Sequence, residues 1–312
     1  MTLNILYWAK PSEWPAYRSA LTAEFNKLEM DVDLVNATND PANVDYIIYA
    51  PQGAADDLTP FSNTRLIQSL WAGPDKLIAN PTLTQPLARM VDAGMAEGMI
   101  DYVLGNVLRH HLNTDVYAAA KPGDWHSDLA PPLARNRTVG FLGIGALGMA
   151  CARAVHRHGF NVMGWSRSAK TDADIDCYHG DDGLDTVLAA SDIIVLLMPH
   201  TPQTENLINA KTLTKMKPGT SIINPGRGPL IDDKALLAAL DSGHISQATL
   251  DVFRIEPLPA DHRYWTHPKV LVTPHIASET RVETSAQVAA ENIRRAEAGE
   301  DVLFLVDRKL NY

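Results

Sequence analysis

TVGFLGIGALGMACARAV, residues 138–155, reads as strand, glycine turn and helix without a break. Val139, Phe141 and Leu142 form the short apolar run that a parallel strand buried on both faces needs. Gly143, Gly145 and Gly148 follow as GIGALG. In this GxGxxG spacing the first glycine makes a tight turn, the second lets backbone approach a pyrophosphate, and the third lets a helix pack on the strand. Leu147, Ala150, Cys151 and Ala154 then recur at helical spacing. The amides of Ala146 and Leu147 therefore stand at a helix start, where the peptide dipoles favour an anion. In a chain rich in alanine and glycine the same spacing also serves as a packing turn without a ligand, so the context has to decide.

That context is a second strand, expected over Phe160 to Trp165, ending in Ser166, Arg167 and Ser168 with Lys170 close behind. A dinucleotide site places an acid near this point to hold the ribose 2′-hydroxyl. Here the charge is reversed, because Arg167 stands 19 residues past Gly148. An acid repels a 2′-phosphate, whereas a guanidinium forms charge-assisted hydrogen bonds to it, so the residues point to NADPH in preference to NADH. NADH remains possible, since a solvated surface arginine would also fit the sequence.

The rest of the chain sets bounds. Its 312 residues suit two domains, each able to bury a core. No apolar run approaches a membrane span, and MTLNILYWAK looks like a first strand and not a signal peptide, so a soluble cytoplasmic protein is expected. Cys151 and Cys177 have no metal or redox spacing and read as ordinary thiols. A net charge of −10 argues against nucleic-acid and anionic-membrane partners and makes each arginine in a glycine-rich loop more telling. His156 and His158 point to different faces of a helix, as do His110 and His111, so no metal site is expected.

In chain order, strands are expected over Leu3 to Trp8, Val32 to Val35, Tyr46 to Ala50 and Leu66 to Leu70, with a helix over Trp14 to Leu28. These make a small α/β unit of their own. The fourth strand runs into Trp71, Ala72, Gly73 and Pro74, either a plain turn or a strand end whose backbone amides meet a carboxylate. A mostly apolar helix, Gly94 to Leu112, is long enough to cross to a second unit, and Lys121 to Arg137 is a Pro- and Gly-containing loop. Beyond the glycine motif the βα rhythm continues with a helix over Asp182 to Ala190. The unalternating strand Asp192 to Met198 suits two-sided burial and stops at Pro199, a further cofactor candidate. Strands over Ser221 to Asn224, Ala248 to Phe253 and Val270 to Thr273 complete the series, with a helix over Asp232 to Leu240.

Three of those strand ends carry chemistry. Pro225, Gly226, Arg227 and Gly228 set a guanidinium between glycines, where it can grip a carboxylate with two parallel bonds. Glu256 follows the next strand, and His275 follows Pro274. A histidine gives or takes a proton near neutral pH, and a carboxylate beside it fixes its tautomer. Reduction of a carbonyl beside a carboxylate requires this set: a cation for the carboxylate, an acid for the developing alkoxide, and a nicotinamide hydride on the other face.

On GIGALG followed by WSR, on NPGRGPLIDDKALLAALDSG, LDVFRIEPLP and TPHIA, and on the ending VDRKLNY, nearly the whole chain resembles the D-isomer specific 2-hydroxyacid dehydrogenases, and within them the glyoxylate/hydroxypyruvate reductase A branch. The resemblance implies an α/β protein of two Rossmann-like domains with parallel sheets. In it a nucleotide-binding domain, 100–279, is inserted into a flavodoxin-like substrate domain made of 1–99 and 280–312. Residues Glu279 to Gly299 form the returning helix. It further implies His275 as proton donor, Glu256 as its partner, Arg227 as carboxylate anchor, Trp71, Ala72 and Gly73 at the substrate, Asp251 near the nicotinamide, and a homodimer built on the nucleotide domains. Two departures stand out. Pro225 and Gly226 replace a more usual Thr, Ser or Ala before the arginine, and WAGPD replaces GAGVD. The activity implied is reduction of small 2-oxo acids such as glyoxylate and hydroxypyruvate. A reductase of bulkier acids such as phenylpyruvate is the alternative within enzymes. A nucleotide-sensing binding protein akin to the family's co-repressors is the alternative outside them.

Overall fold

A computed structural model of the chain describes residues 2–51 and 56–308. Gly53, and Tyr312 at the end of VDRKLNY, lie outside them. The chain divides into two compact units, residues 1–95 with 279–312, and residues 96–278.

The first unit runs β1 (Leu3–Trp8), α1 (Trp14–Lys27), β2 (Val32–Val35), β3 (Tyr46–Tyr49), β4 (Leu66–Ser69), α2 (Asp75–Ile78) and β5 (Leu87–Ala88). Its sheet is parallel throughout, in the order β2-β1-β3-β4-β5. The doubly-wound order follows from right-handed crossovers on both faces. β3 and β4 are wholly buried, as YIIY and LIQS between neighbours on either side must be. The two-residue β5 carries no readable pattern in the sequence.

α3 (Ala93–His111) passes from the first unit into the second. The second unit continues with α4 (Thr114–Ala118), β6 (Thr138–Leu142), α5 (Ala146–Arg157), β7 (Asn161–Ser166), β8 (Asp176–His179), α6 (Gly180–Ala190) and β9 (Ile193–Leu196). It closes with α7 (Ala210–Leu213), β10 (Thr220–Asn224), α8 (Asp233–Asp241), β11 (Ile245–Leu250) and β12 (Val270–Val272). Its sheet is again parallel, ordered β12-β11-β10-β9-β6-β7-β8. β6 thus has β7 on one side and β9 on the other, so the strand order reverses there and the loops after β6 and β9 border the crevice where such sheets take ligands. α9 (Val282–Ala298) returns to the first unit, where Ala286, Ala289, Ala290 and Ile293, a stripe at helical spacing, share a core with Leu21 and Phe25 of α1.

Several expected boundaries shift for local reasons. β11 ends at Leu250, not Phe253, because the Asp251 carboxylate turns to the segment after β12. The returning helix starts at Val282, not Glu279, because Thr280 donates its hydroxyl to the Leu70 carbonyl at the end of β4. The short edge strand β8, DCYH, is half exposed and carries no apolar alternation to announce it. Among the described residues no helix is long and apolar enough to cross a membrane. Burial pushes the Cys151 thiol up to about 12, which removes it from redox chemistry at neutral pH.

His110, whose ring is buried on α3, pairs Nδ1 with Gln247 Oε1 at 2.9 Å and Nε2 with Thr249 Oγ1 at 3.0 Å. Burial, which disfavours the charged ring, pushes its pKa down to about 4 from 6.5. The unfolded chain takes up this proton below 6.5 and the folded chain does not until about 4, so stability falls with pH through that window. His110→Gln is expected to flatten the acid limb of a thermal-unfolding profile, removing on the order of 2 kcal/mol of the loss between pH 7 and 5. An unchanged acid limb would contradict this.

Candidate active site

The three glycines of the GIGALG turn do three different jobs. Gly143 has φ +104°, and a Cβ on it would lie 2.5 Å from the Leu197 carbonyl oxygen, so both conformation and space demand glycine. A Cβ on Gly148 would lie 1.9 Å from the Gly143 oxygen, which is the close packing of α5 on the turn. A Cβ on Gly145 would meet nothing within 4 Å. Gly145 is the N-cap of α5 without a side-chain cap, so the amides of Ala146 and Leu147 begin the helix facing open space. This arrangement fits a pyrophosphate, whose oxygens the helix-start amides would take.

Ser166 ends β7, and its hydroxyl donates to the Ser168 carbonyl at 2.8 Å, folding the segment that presents the exposed Arg167. Lys170 donates to the carbonyl of Ile144, inside the glycine turn, at 2.9 Å. Arg167, the cation expected at a 2′-phosphate, and Lys170 close behind it therefore lie on a segment bonded to the glycine turn. Pro199 follows β9 and its carbonyl accepts the Thr204 hydroxyl at 2.8 Å.

At the opposite flank of the strand order, His275 Nδ1 lies 2.9 Å from Glu256 Oε2. Glu256 Oε1 accepts the Phe253 amide at 2.9 Å. With one carboxylate oxygen fixed by backbone, the other is placed to accept a hydrogen from Nδ1, a tautomer that leaves Nε2 as the ring nitrogen outside this pair. His275 has φ +56°, rare for a residue with a Cβ. What holds it there is Asp251, fully buried, whose backbone carbonyl accepts the His275 amide at 2.9 Å. Asp251 Oδ1 accepts the Ile276 amide at 2.9 Å and the Thr273 hydroxyl at 2.5 Å, and Oδ2 accepts the Ala277 amide at 2.9 Å. Tyr102 of α3 extends the chain, its hydroxyl 2.7 Å from Thr273 Oγ1. Sequence reasoning placed Asp251 near the nicotinamide; its contacts here are with the turn that carries His275. Thr273 and Tyr102 were missed, because nothing in local pattern marks a hydroxyl that holds a carboxylate far along the chain.

Arg227 follows β10, and its Nη1 donates to the Gly226 carbonyl at 2.7 Å. Asn224 ties the turn, accepting from the Gly226 amide and donating to the Arg227 carbonyl. A Cβ on Gly226 would sit 2.7 Å from the Leu196 oxygen, so an Ala or Ser at this position would force the ends of β9 and β10 apart. A Cβ on Gly228 would lie 2.0 Å from the Phe253 carbonyl carbon, so the loop of Arg227 and the loop of Glu256 touch backbone to backbone.

In the first unit, Trp71, Ala72 and Gly73 follow the end of β4. Ser69 Oγ accepts the Trp71 amide at 2.8 Å and the Trp71 carbonyl accepts the Met90 amide at 3.0 Å. Trp71 and Ala72 pack against the unit's core.

Residues 103–277 match the family model described as D-isomer specific 2-hydroxyacid dehydrogenase, NAD binding domain. A glyoxylate/hydroxypyruvate reductase A of Photorhabdus laumondii is 38% identical over 227 residues, 73% of this chain and 72% of that protein. A D-isomer specific 2-hydroxyacid dehydrogenase of Xanthobacter autotrophicus Py2, crystallised with NADPH and MES, matches all of both chains at 39% identity and a TM-score of 0.92. The NADPH-dependent glyoxylate/hydroxypyruvate reductase of Sinorhizobium meliloti, crystallised with NADP and sulfate, matches 99% of this chain and 100% of that one at 30% identity and a TM-score of 0.90.

Proposed function

The chain belongs to the D-isomer specific 2-hydroxyacid dehydrogenases, and from that premise we propose that it reduces small 2-oxo acids with NADPH, glyoxylate to glycolate and hydroxypyruvate to D-glycerate. The observation that carries this reading is the His275 to Glu256 pair at 2.9 Å, whose glutamate lies on the loop that touches the loop of Arg227. The reductases from Photorhabdus and Sinorhizobium named above support the substrate class.

NADPH, when bound, supplies a hydride to the carbonyl carbon. Its pyrophosphate would be held by Gly143, Gly145, Gly148 and the Ala146 and Leu147 amides, and its 2′-phosphate by Ser166, Arg167 and Ser168, with Pro199 bordering the crevice. Arg227 binds the substrate carboxylate through parallel guanidinium bonds. His275 donates the Nε2 proton to the carbonyl oxygen as charge develops there, and Glu256 stabilises the imidazole through Nδ1 throughout. The neutral ring regains its proton from water, which reaches its half-exposed side chain. Asp251 acts beneath the site through the turn it holds. We assign Trp71, Ala72 and Gly73 to substrate binding as well, from their place at a strand end of a doubly-wound sheet.

A homodimer through the second unit is part of the same reading. Its support is the segment after α3, which exposes Leu112, Tyr117, Leu133 and, at 90%, Trp125. Exposed apolar side chains close together in sequence are the kind of surface that a second copy of the chain would cover. A cytoplasmic location is supported by the two unpaired thiols.

The test is initial rates of NADPH and NADH oxidation with glyoxylate, hydroxypyruvate and phenylpyruvate at neutral pH. The reading expects fast NADPH turnover with the two small acids. Preference for phenylpyruvate would assign the enzyme to bulkier acids, and no turnover with any pair would return the binding-protein reading. In the same assay Arg167→Asp is expected to raise the KM for NADPH roughly 10- to 100-fold, the worth of its charge-assisted bonds, and to narrow the gap to NADH. An unchanged ratio of the two cofactors would remove Arg167 from the phosphate site.

A further inference from the structure

Arg254 stands between Phe253 and Glu256 and has no role in the mechanism above, yet its guanidinium joins three strand-end loops of the second unit. Nη2 donates to the Ile231 carbonyl at 2.6 Å, to the Pro229 carbonyl at 3.3 Å, and to the Asn206 side-chain oxygen. Nη1 lies 3.5 Å from Glu205 and Nε lies 3.8 Å from Asp233. The loops it touches are those after β9, after β10 and after β11, which are neighbours in the sheet.

Two of these loops are already joined by backbone. The Pro229 carbonyl accepts the Asn206 amide at 2.9 Å, the Leu230 carbonyl accepts the Ile208 amide at 3.0 Å, and the Ile208 carbonyl accepts the Asp232 amide at 2.8 Å. Arg254 adds the third loop to that zipper, binding the same Pro229 oxygen from the Glu256 side. The contact continues at Gly228, where an added Cβ would lie 2.5 Å from the Arg254 amide nitrogen. Removing the guanidinium would take away the side-chain tie of the β11 loop to the other two and leave the Glu205 and Asp233 carboxylates without the cation between them. A lysine restores that charge but, as a single point, not the fan of donors that reaches Asn206, Pro229 and Ile231 together.

We propose that Arg254 is a positioning residue of the reduction: it fixes the loop bearing Arg227 against the loop bearing Glu256, and so sets where the substrate carboxylate lies relative to the proton on His275. This rests on the reductase reading above. Displacing one reacting group by about 1 Å costs on the order of 100-fold in rate, so a strut between the two loops has kinetic consequences although it touches no reactant.

The test compares the wild type, Arg254→Met and Arg254→Lys, each also in an Arg227→Lys background. The readouts are steady-state kinetics with glyoxylate, NADPH affinity by fluorescence, thermal unfolding, and calorimetric titration of oxamate into the NADPH complex. Arg254→Met is expected to lower kcat/KM and oxamate affinity roughly 10- to 100-fold while NADPH affinity stays within about twofold, and Arg254→Lys is expected to recover part of the loss. In the Arg227→Lys background the same substitution should cost far less, because residues acting through one contact are not additive. Full additivity, unchanged oxamate affinity, or a loss of NADPH binding in step with activity would overturn the proposal. If the wild type turns over no 2-oxo acid but its NADPH complex binds oxamate, the reductase reading fails, and weakened oxamate binding by Arg254→Met still supports Arg254 as the strut of the carboxylate site. Absence of both turnover and oxamate binding in the wild type overturns both.

Discussion

Replacing His275 by alanine is expected to lower kcat for glyoxylate by roughly 10²- to 10⁴-fold, the usual worth of a positioned general acid. NADPH affinity should change by less than about threefold, since the glycine turn and the Arg167 segment lie elsewhere on the sheet. Glu256→Gln should fall between wild type and His275→Ala. The amide keeps the ring in place through one hydrogen bond but no longer stabilises a positive imidazole, so proton donation weakens without being lost. The decisive comparison is between turnover and binding. Stopped-flow hydride transfer with His275→Ala should be slow at saturating NADPH and substrate, and fluorescence titration should show the cofactor bound. Loss of both in equal proportion would mean that the residue maintains the fold of the crevice and does not supply the proton. His275→Asn is the control for backbone strain, because asparagine tolerates the left-handed conformation at φ +56° better than alanine. If Asn and Ala variants are equally slow, the missing proton explains the loss; if Asn recovers most of the rate, strain does.

Much of this site was legible in the sequence because its parts sit at strand ends. A parallel sheet sends every active loop to one edge, so GIGALG, NPGRG, the acid after LDVF and the histidine after TP could be referred to one side of one sheet before any contact was known. The three glycines were also readable as a set, and the contacts at Gly143 and Gly148 show the tight turn and the close helix packing that their spacing suggested, while Gly145 borders open space. What the sequence did not reveal is how the loops are held. For Asp251 the family resemblance implies only a place near the nicotinamide; it is the fold that brings residues 273–277 to its oxygens. Nothing near Arg254 in the sequence marks its partners, which lie at 206, 229 and 231 on other strand ends. Such long-range hydrogen bonds leave no periodicity, and neither do edge strands as short as β5 or as polar as β8.

The second large effect is at Arg227. Arg227→Lys keeps the charge and loses the fork, and Arg227→Ala loses both, so kcat/KM for glyoxylate should fall in that order, by up to about 10³- to 10⁴-fold for alanine, since removing one partner of a desolvated charge pair costs about 2 to 5 kcal/mol. How the loss divides between KM and kcat reports what the arginine does. A grip on the carboxylate alone exists equally before and during the reaction and would raise KM with kcat unchanged. A guanidinium that also reaches the carbonyl oxygen meets charge that grows only in the transition state, and its loss would lower kcat as well. Glycolaldehyde, an aldehyde without the carboxylate, separates the two. The wild type should strongly prefer glyoxylate, and Arg227→Ala should abolish that preference by losing activity on glyoxylate while keeping most of the slow rate on glycolaldehyde. A variant that loses both substrates equally would place Arg227 on the reacting carbonyl, and one that keeps its preference for glyoxylate would remove it from carboxylate recognition.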